Sequence, residues 1–137
     1  MKTDLNTMPS DHDANVILNS DQQKNMIVEA LEDHKALDIK VLDITEISTF
    51  ADYMIVASGT SSTHIKSIAG NAKRDLSRKG LNTIGEEGED SSEWVLIDFG
   101  DIVVHVMRQE VREFYDLEQL WDKDLRKVLD EELVEEH

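Results

Sequence analysis

Residues 53–80 read YMIVASGTSSTHIKSIAGNAKRDLSRKG. Tyr53 to Ala57 form an unbroken apolar run of strand length. Such a run fits a central strand covered on both faces. Ser58-Gly59-Thr60-Ser61-Ser62 breaks it, and a helix is expected from Ser62 to Lys79. Ile65, Ile68, Ala69, Ala72 and Leu76 recur at helical spacing and define its buried face. Gly80 stands where a left-handed C-terminal cap belongs. Strand, turn and amphipathic helix in succession are the building unit of α/β proteins.

Working outward, Ser20 or Asp21 can cap a helix over 21–35, with Met26, Ile27, Ala30, Leu31 and His34 on one face. Lys40 to Ile44 reads as a strand and Thr45 to Ser48 as a turn. Beyond Gly80, Leu81 to Ile84 is expected as a short strand and Gly85 to Ser92 as an acidic loop. Trp94 to Phe99 and Ile102 to Met107 are two strands joined by Gly100-Asp101, a hairpin signal. Glu110 to Phe114 reads as a helical turn. Leu117, Leu120, Trp121, Leu125, Val128 and Leu129 repeat at helical spacing.

The resulting order is α-β-β-α-β-β-β-α, with a crossover expected between the second and third strands. The fold class is α/β, a mixed sheet of about five strands flanked by helices. Residues 1–20 are polar and are expected to be a disordered extension. Residues 21–121 form the domain, and residues 122–137 an acidic helical tail.

The chain has 137 residues, 14 Lys and Arg, 30 Asp and Glu, and a net charge of −16. That charge opposes binding nucleic acid through phosphates, which needs a basic footprint, so no DNA binding is expected. It favours basic partners. There is no Cys, which excludes disulfides and thiolate metal sites and suits a reducing cytosol. No apolar run is long enough to span a membrane, and residues 1–20 lack the features of a signal peptide. A cytoplasmic protein is expected.

Three constellations could carry chemistry. Gly59 to Ser62 opens a helix and could hold a phosphate on free N–H groups. It lacks GxxxxGK[ST] and GxGxxG, and Thr60, Ser61 or Ser62 can equally be a helix cap. Asp98 and Asp101 flank a turn and could hold Mg²⁺ for nucleotidyl or phosphoryl transfer. The alternative is a hairpin turn with an acidic rim. His64 and His105 show neither HxxxH nor HExxH spacing. Strand alternation puts His105 on one face with Val103 and Met107, as a hydrogen-bonded core or interface residue. No cofactor or metal is expected.

Trp94 is either core filler or an interface anchor. Arg112, Phe114, Tyr115 and Trp121 form a second cluster, with Phe114 and Trp121 expected in the core. Arg112 can pair with Glu110, Glu113 or Asp116, or reach a partner.

Six stretches occur in an order that resembles the ribosomal silencing factor family, the Iojap-related proteins. They are Ala51 to Val56, Gly59 to His64, Gly85 to Gly88 followed by Trp94, Asp98 to Asp101, Val104 to Met107, and Arg112 to Trp121. The resemblance implies a nucleotidyltransferase-like topology without enzymatic activity. It implies a translational repressor that binds the large ribosomal subunit through ribosomal protein uL14 and blocks joining of the small subunit when nutrients are scarce. It also implies a homodimer when free. By resemblance Trp94, Val95 and Ile97 face the ribosomal protein, with His105, Met107, Arg112 and Tyr115 as further contacts. Two other readings are a Mg²⁺-dependent nucleotidyl or phosphoryl transferase, and an acidic adaptor that uses its C-terminal helix.

Overall fold

The computed structural model describes residues 18–88 and 93–120. The expected tail over 122–137, Trp121 and most of the N-terminal extension lie outside those residues. The elements are α1 (Ser20–Asp33), β1 (Leu37–Asp43), β2 (Tyr53–Gly59), α2 (Ser62–Arg78), β3 (Gly85–Glu87), β4 (Trp94–Asp98), β5 (Ile102–Arg108), α3 (Gln109–Tyr115) and α4 (Leu117–Leu120).

One sheet of five strands runs in the order β1-β2-β5-β4-β3. β2 and β5 are parallel, and the other neighbours are antiparallel. The mixed α/β sheet is as expected, but the crossover differs. The chain leaves β2 through α2 to the far edge and returns through β3 and β4, so the parallel partner of β2 is β5. β2 and β5 are buried almost throughout because both faces of the central pair are covered.

Alternation along these strands builds two apolar layers. Ile55, Ala57, Val95, Ile97, Ile102, Val104 and Val106 pack with Ile27, Leu31, Ile65, Ile68 and Leu76 of the helices. Met54, Val56, Val103 and Met107 pack on the opposite face with Ile44, Ala51 and Leu117. Burying each large side chain contributes roughly 1.5–3 kcal/mol before chain entropy is charged.

Local rules set the helix ends. Asn19, not Ser20 or Asp21, caps α1: its Oδ1 accepts from the Gln22 N–H at 2.8 Å, and the Gln22 Oε1 accepts from the Asn19 N–H at 3.0 Å. This reciprocal box places Asn19 and Ser20 inside the folded unit. Ser20 bonds Asp52, and Tyr53 donates to Asp21, which ties the start of α1 to the start of β2. The Asp21 carboxylate accepting that bond, with burial second, pushes the Tyr53 phenol up to about 12.

α2 ends as the sequence implies. Gly80 has φ +93°, and its N–H bonds the Ser77 carbonyl while the Leu81 N–H bonds that of Leu76. Leu81 is therefore consumed by the cap, buried in the helix-side layer. The expected strand over Leu81 to Ile84 is displaced. Pairing begins at the Ile84 N–H on the Asp98 carbonyl, and β3 lies in the stretch read as loop.

Candidate partner-docking face

Two turns considered for chemistry are occupied by their own structure. Ser61 caps α2, its Oγ accepting from the His64 N–H at 3.1 Å. The His64 Nδ1 in turn accepts from the Thr60 N–H at 2.9 Å. Gly59 is required by close packing, since a Cβ there would lie 2.7 Å from Ile65 Cγ1. The Asp98 Oδ1 accepts from the Gly100 N–H at 2.8 Å and closes the hairpin. The Asp101 carbonyl receives the Asp52 and Tyr53 N–H groups at the head of β2. Among the described residues no group of three or more His, Asp or Glu could hold a metal ion.

Most of the other candidates gather at the sheet face opposite the α1 and α2 layer, where β4, the end of β5 and α3 meet. Trp94 lies opposite Met107, and Leu96 opposite His105. The Trp94 indole N–H donates to His105 Nδ1 at 2.9 Å, and the two rings tilt at a centroid distance of 5.8 Å. An indole N–H can only donate, so Nδ1 must be unprotonated. Burial pushes the His105 imidazole down to about 4, consistent with that neutral form. Tyr115 packs on Trp94 at 5.0 Å, and Phe114 meets the Tyr115 ring edge-on at 5.0 Å. Phe114 is 80% exposed and Tyr115 54%. Trp94 and Leu96 are half-buried on the same face.

Arg112 holds this corner together. Its Nε and Nη2 reach the two Glu118 carboxyl oxygens at 2.9 and 3.0 Å, and Nη1 donates to Ser58 Oγ at 2.8 Å. The buried fork links α3, α4 and the end of β2. The Arg112 guanidinium holds the Glu118 carboxyl below the ordinary carboxylate value. Between them the chain bends at Asp116, which takes φ +50° and returns its N–H to the Arg112 carbonyl at 2.8 Å.

The seven residues assigned to partner contact by resemblance thus divide. Trp94 and Tyr115 reach the surface. Val95 and Ile97 are only 1% and 2% exposed, because alternation turns them toward the helices. Met107 is fully buried under the open face, and His105 and Arg112 are buried polar groups. These five cannot present side chains to a partner without opening the fold. Arg112 pairs with Glu118, and not with Glu110, Glu113 or Asp116. Phe114, expected in the core, is exposed because Val111 and Arg112 set the packed side of α3. Leu96, two residues from Trp94, lies half-buried on the same side of the strand. No helix of the described residues is long and apolar enough to cross a membrane.

The sequence model described as "Ribosomal silencing factor during starvation" matches residues 18–137. The chain belongs to the ribosomal silencing factor family. It is 45% identical over 96 residues to a "Ribosomal silencing factor" of Chromobacterium violaceum, covering 70% of this chain and 79% of that one. It is 32% identical over 120 residues to the mouse "Mitochondrial assembly of ribosomal large subunit protein 1", covering 82% of this chain and 53% of that protein. A crystal structure of a C. violaceum protein superposes with a TM-score of 0.74 at 41% identity, covering 76% of this chain and 87% of that chain. A Bacillus halodurans structure gives 0.68 at 33% identity, covering 75% and 96%.

Proposed function

We propose that this protein represses translation in the cytoplasm by docking its aromatic face on uL14 of the large ribosomal subunit. Its bulk then occupies the joining surface and keeps the small subunit away, which lowers translation under nutrient limitation. It works by occupation and not by catalysis. The observation that carries the reading is the exposed stack of Phe114, Tyr115 and Trp94 beside Leu96 on a rigid strand-and-helix frame. Interface energy concentrates in Trp, Tyr and large apolar anchors of this kind. A net charge of −16 favours a basic ribosomal protein as the surface met first. Family membership supplies the ribosomal context. The contact set is accordingly Trp94, Leu96, Phe114 and Tyr115, held by His105 and Arg112 from behind. When free of the ribosome, the same apolar surface is available to pair two copies.

Co-sedimentation with separated subunits, followed by a joining assay, tests this. The protein should travel with the large subunit alone and reduce joined ribosomes. Trp94→Ala should weaken binding by about 2 kcal/mol, roughly thirty-fold in Kd. Thermal unfolding must show that the variant is folded. A folded Trp94→Ala chain that binds like the wild type would reject the assignment of this face.

A further inference from the structure

The other side of the molecule carries a charge pattern that the docking face does not use. Residues 62–79 hold Lys66, Lys73, Arg74, Arg78 and Lys79 against the single acid Asp75, a local net of +4 in a chain of −16. Lys66, Gly70, Arg74 and Arg78 follow at intervals of four, and Lys73 and Ser77 lie beside them, so they share one helix face. Between this face and β3 runs an open groove of about 700 Å³, lined by Gly70, Lys73, Arg74, Ser77 and Arg78 with Glu86 opposite. Lys66, Gly70 and Val95 line an adjoining hollow. The cations are held in place by partners: Lys73 by Glu86, Arg74 by the Asn71 Oδ1 at 2.6 Å, and Arg78 by Asp75 at 3.7 Å. Each guanidinium has five N–H donors, so such single contacts leave others for a ligand.

Gly70 is the second observation. It sits in the middle of α2, where glycine is unfavourable relative to alanine. Its φ is not positive, and a Cβ built there meets nothing within 4 Å. Neither packing nor backbone geometry explains it. A missing side chain at this point keeps the groove floor low enough for a ligand backbone to approach closely.

We infer that the groove along α2 takes the phosphate backbone of ribosomal RNA while the opposite, aromatic face holds the ribosomal protein. The inference rests on the docking reading. From Lys66 to Arg78 the stripe covers roughly 18 Å of helix, which suits a run of phosphates better than one small anion. A chain of −16 approaching the RNA-rich ribosome is repelled on average, and a local excess of cations lowers that repulsion, so the groove also favours one orientation in which the protein lands. The two surfaces lie on opposite sides of the sheet and can be engaged together.

The test is equilibrium binding of the full chain to purified large subunits between about 50 and 200 mM salt. The Arg74→Glu/Arg78→Glu variant should lose affinity at least ten-fold at the lower salt. Its log–log salt slope should fall by about 1.5, because each of the two lost phosphate contacts contributes roughly 0.7–0.9. A Lys24→Glu/Lys35→Glu variant, with the same net charge, should keep the wild-type slope. Binding of the first variant to isolated uL14 should be unchanged. Gly70→Leu should stay folded, with an unchanged or higher Tm, and bind subunits more weakly. An unchanged slope, an equal loss in the control variant, an equal loss on isolated uL14, or full binding by Gly70→Leu would each overturn the inference and leave the docking reading standing. Wild-type protein that ignores large subunits would remove both.

Discussion

The two faces of the sheet are built from the same strands and do different work. Toward α1 and α2, β4 presents Val95 and Ile97 into a layer made wholly of apolar side chains. One residue away in register, the same strand presents Trp94 and Leu96, which are only half-covered and share their face with a buried histidine. The first face pays for folding by removing apolar area from water. The second holds large side chains in fixed positions and leaves part of them exposed, as a docking surface requires. Adjacent residues therefore meet different surroundings, and a motif carried over as a block of neighbours mixes them.

The sharpest way to break this comparison is to truncate one residue on each face. Ile97→Ala should cost about 4 kcal/mol of stability, because it opens a cavity among closely packed neighbours. Urea unfolding measures it. Trp94→Ala should cost less stability than Ile97→Ala despite removing more atoms, and should show its main effect in subunit binding. If Trp94→Ala proves the more destabilising of the two, the open face is core and the division fails.

Arg112 tests how the open face is held. Its guanidinium is buried and divided between Glu118 and Ser58. Arg112→Ala should cost about 3 kcal/mol, since Glu118 and Ser58 lose their donor in a partly desolvated site. Arg112→Ala/Glu118→Ala should recover part of that loss, because no unpaired carboxylate remains. An Arg112→Ala chain as stable as the wild type by urea unfolding would mean that the fork does not set the angle between α3 and α4.

Much of this was legible because strand alternation and helical spacing are strong signals. Tyr53 to Lys79 reads correctly as strand, cap and helix, and Gly80 as its stop. What failed was decided by interactions between distant parts of the chain. Leu81 looks like the start of a strand, yet the cap of α2 takes its N–H and buries its side chain, so pairing moves on to Ile84. Arg112 and Glu118 are six residues apart, a spacing no regular helix brings together. Only the left-handed turn at Asp116 does so. At the open face the residue types were readable, but burial was not. Val95 and Trp94 are equally apolar in the sequence, and which one faces the helices depends on the register of β4 against β5.

The faces should also differ in acid. Among the described residues the buried polar or charged ones are Ser58, His105 and Arg112, and none of them packs in the helix-side layer. The open face contains His105, whose folded value is about 4 against an ordinary 6.5. Between those values the unfolded chain binds the proton that the folded chain refuses, so stability rises with pH across this window. The His105 contribution is fully present above about pH 6.5 and is lost as pH falls toward 4, with about 2 kcal/mol gone by about pH 5. Asp75 and Glu118 are held below their ordinary values by His34 and Arg112, so their contributions disappear only at lower pH. His105→Gln isolates the effect. Glutamine can still accept a hydrogen bond through its side-chain oxygen and cannot be protonated in this range. Urea unfolding at several pH values should show the stability gap between wild type and variant shrinking by about 2 kcal/mol from neutral pH to about pH 5. Trp94 fluorescence in the native state should shift over the acid end of the same range only where His105 is present, as protonated Nδ1 can no longer accept from the indole. A gap that stays constant with pH would mean that the imidazole accepts the proton without giving up its place beneath Trp94.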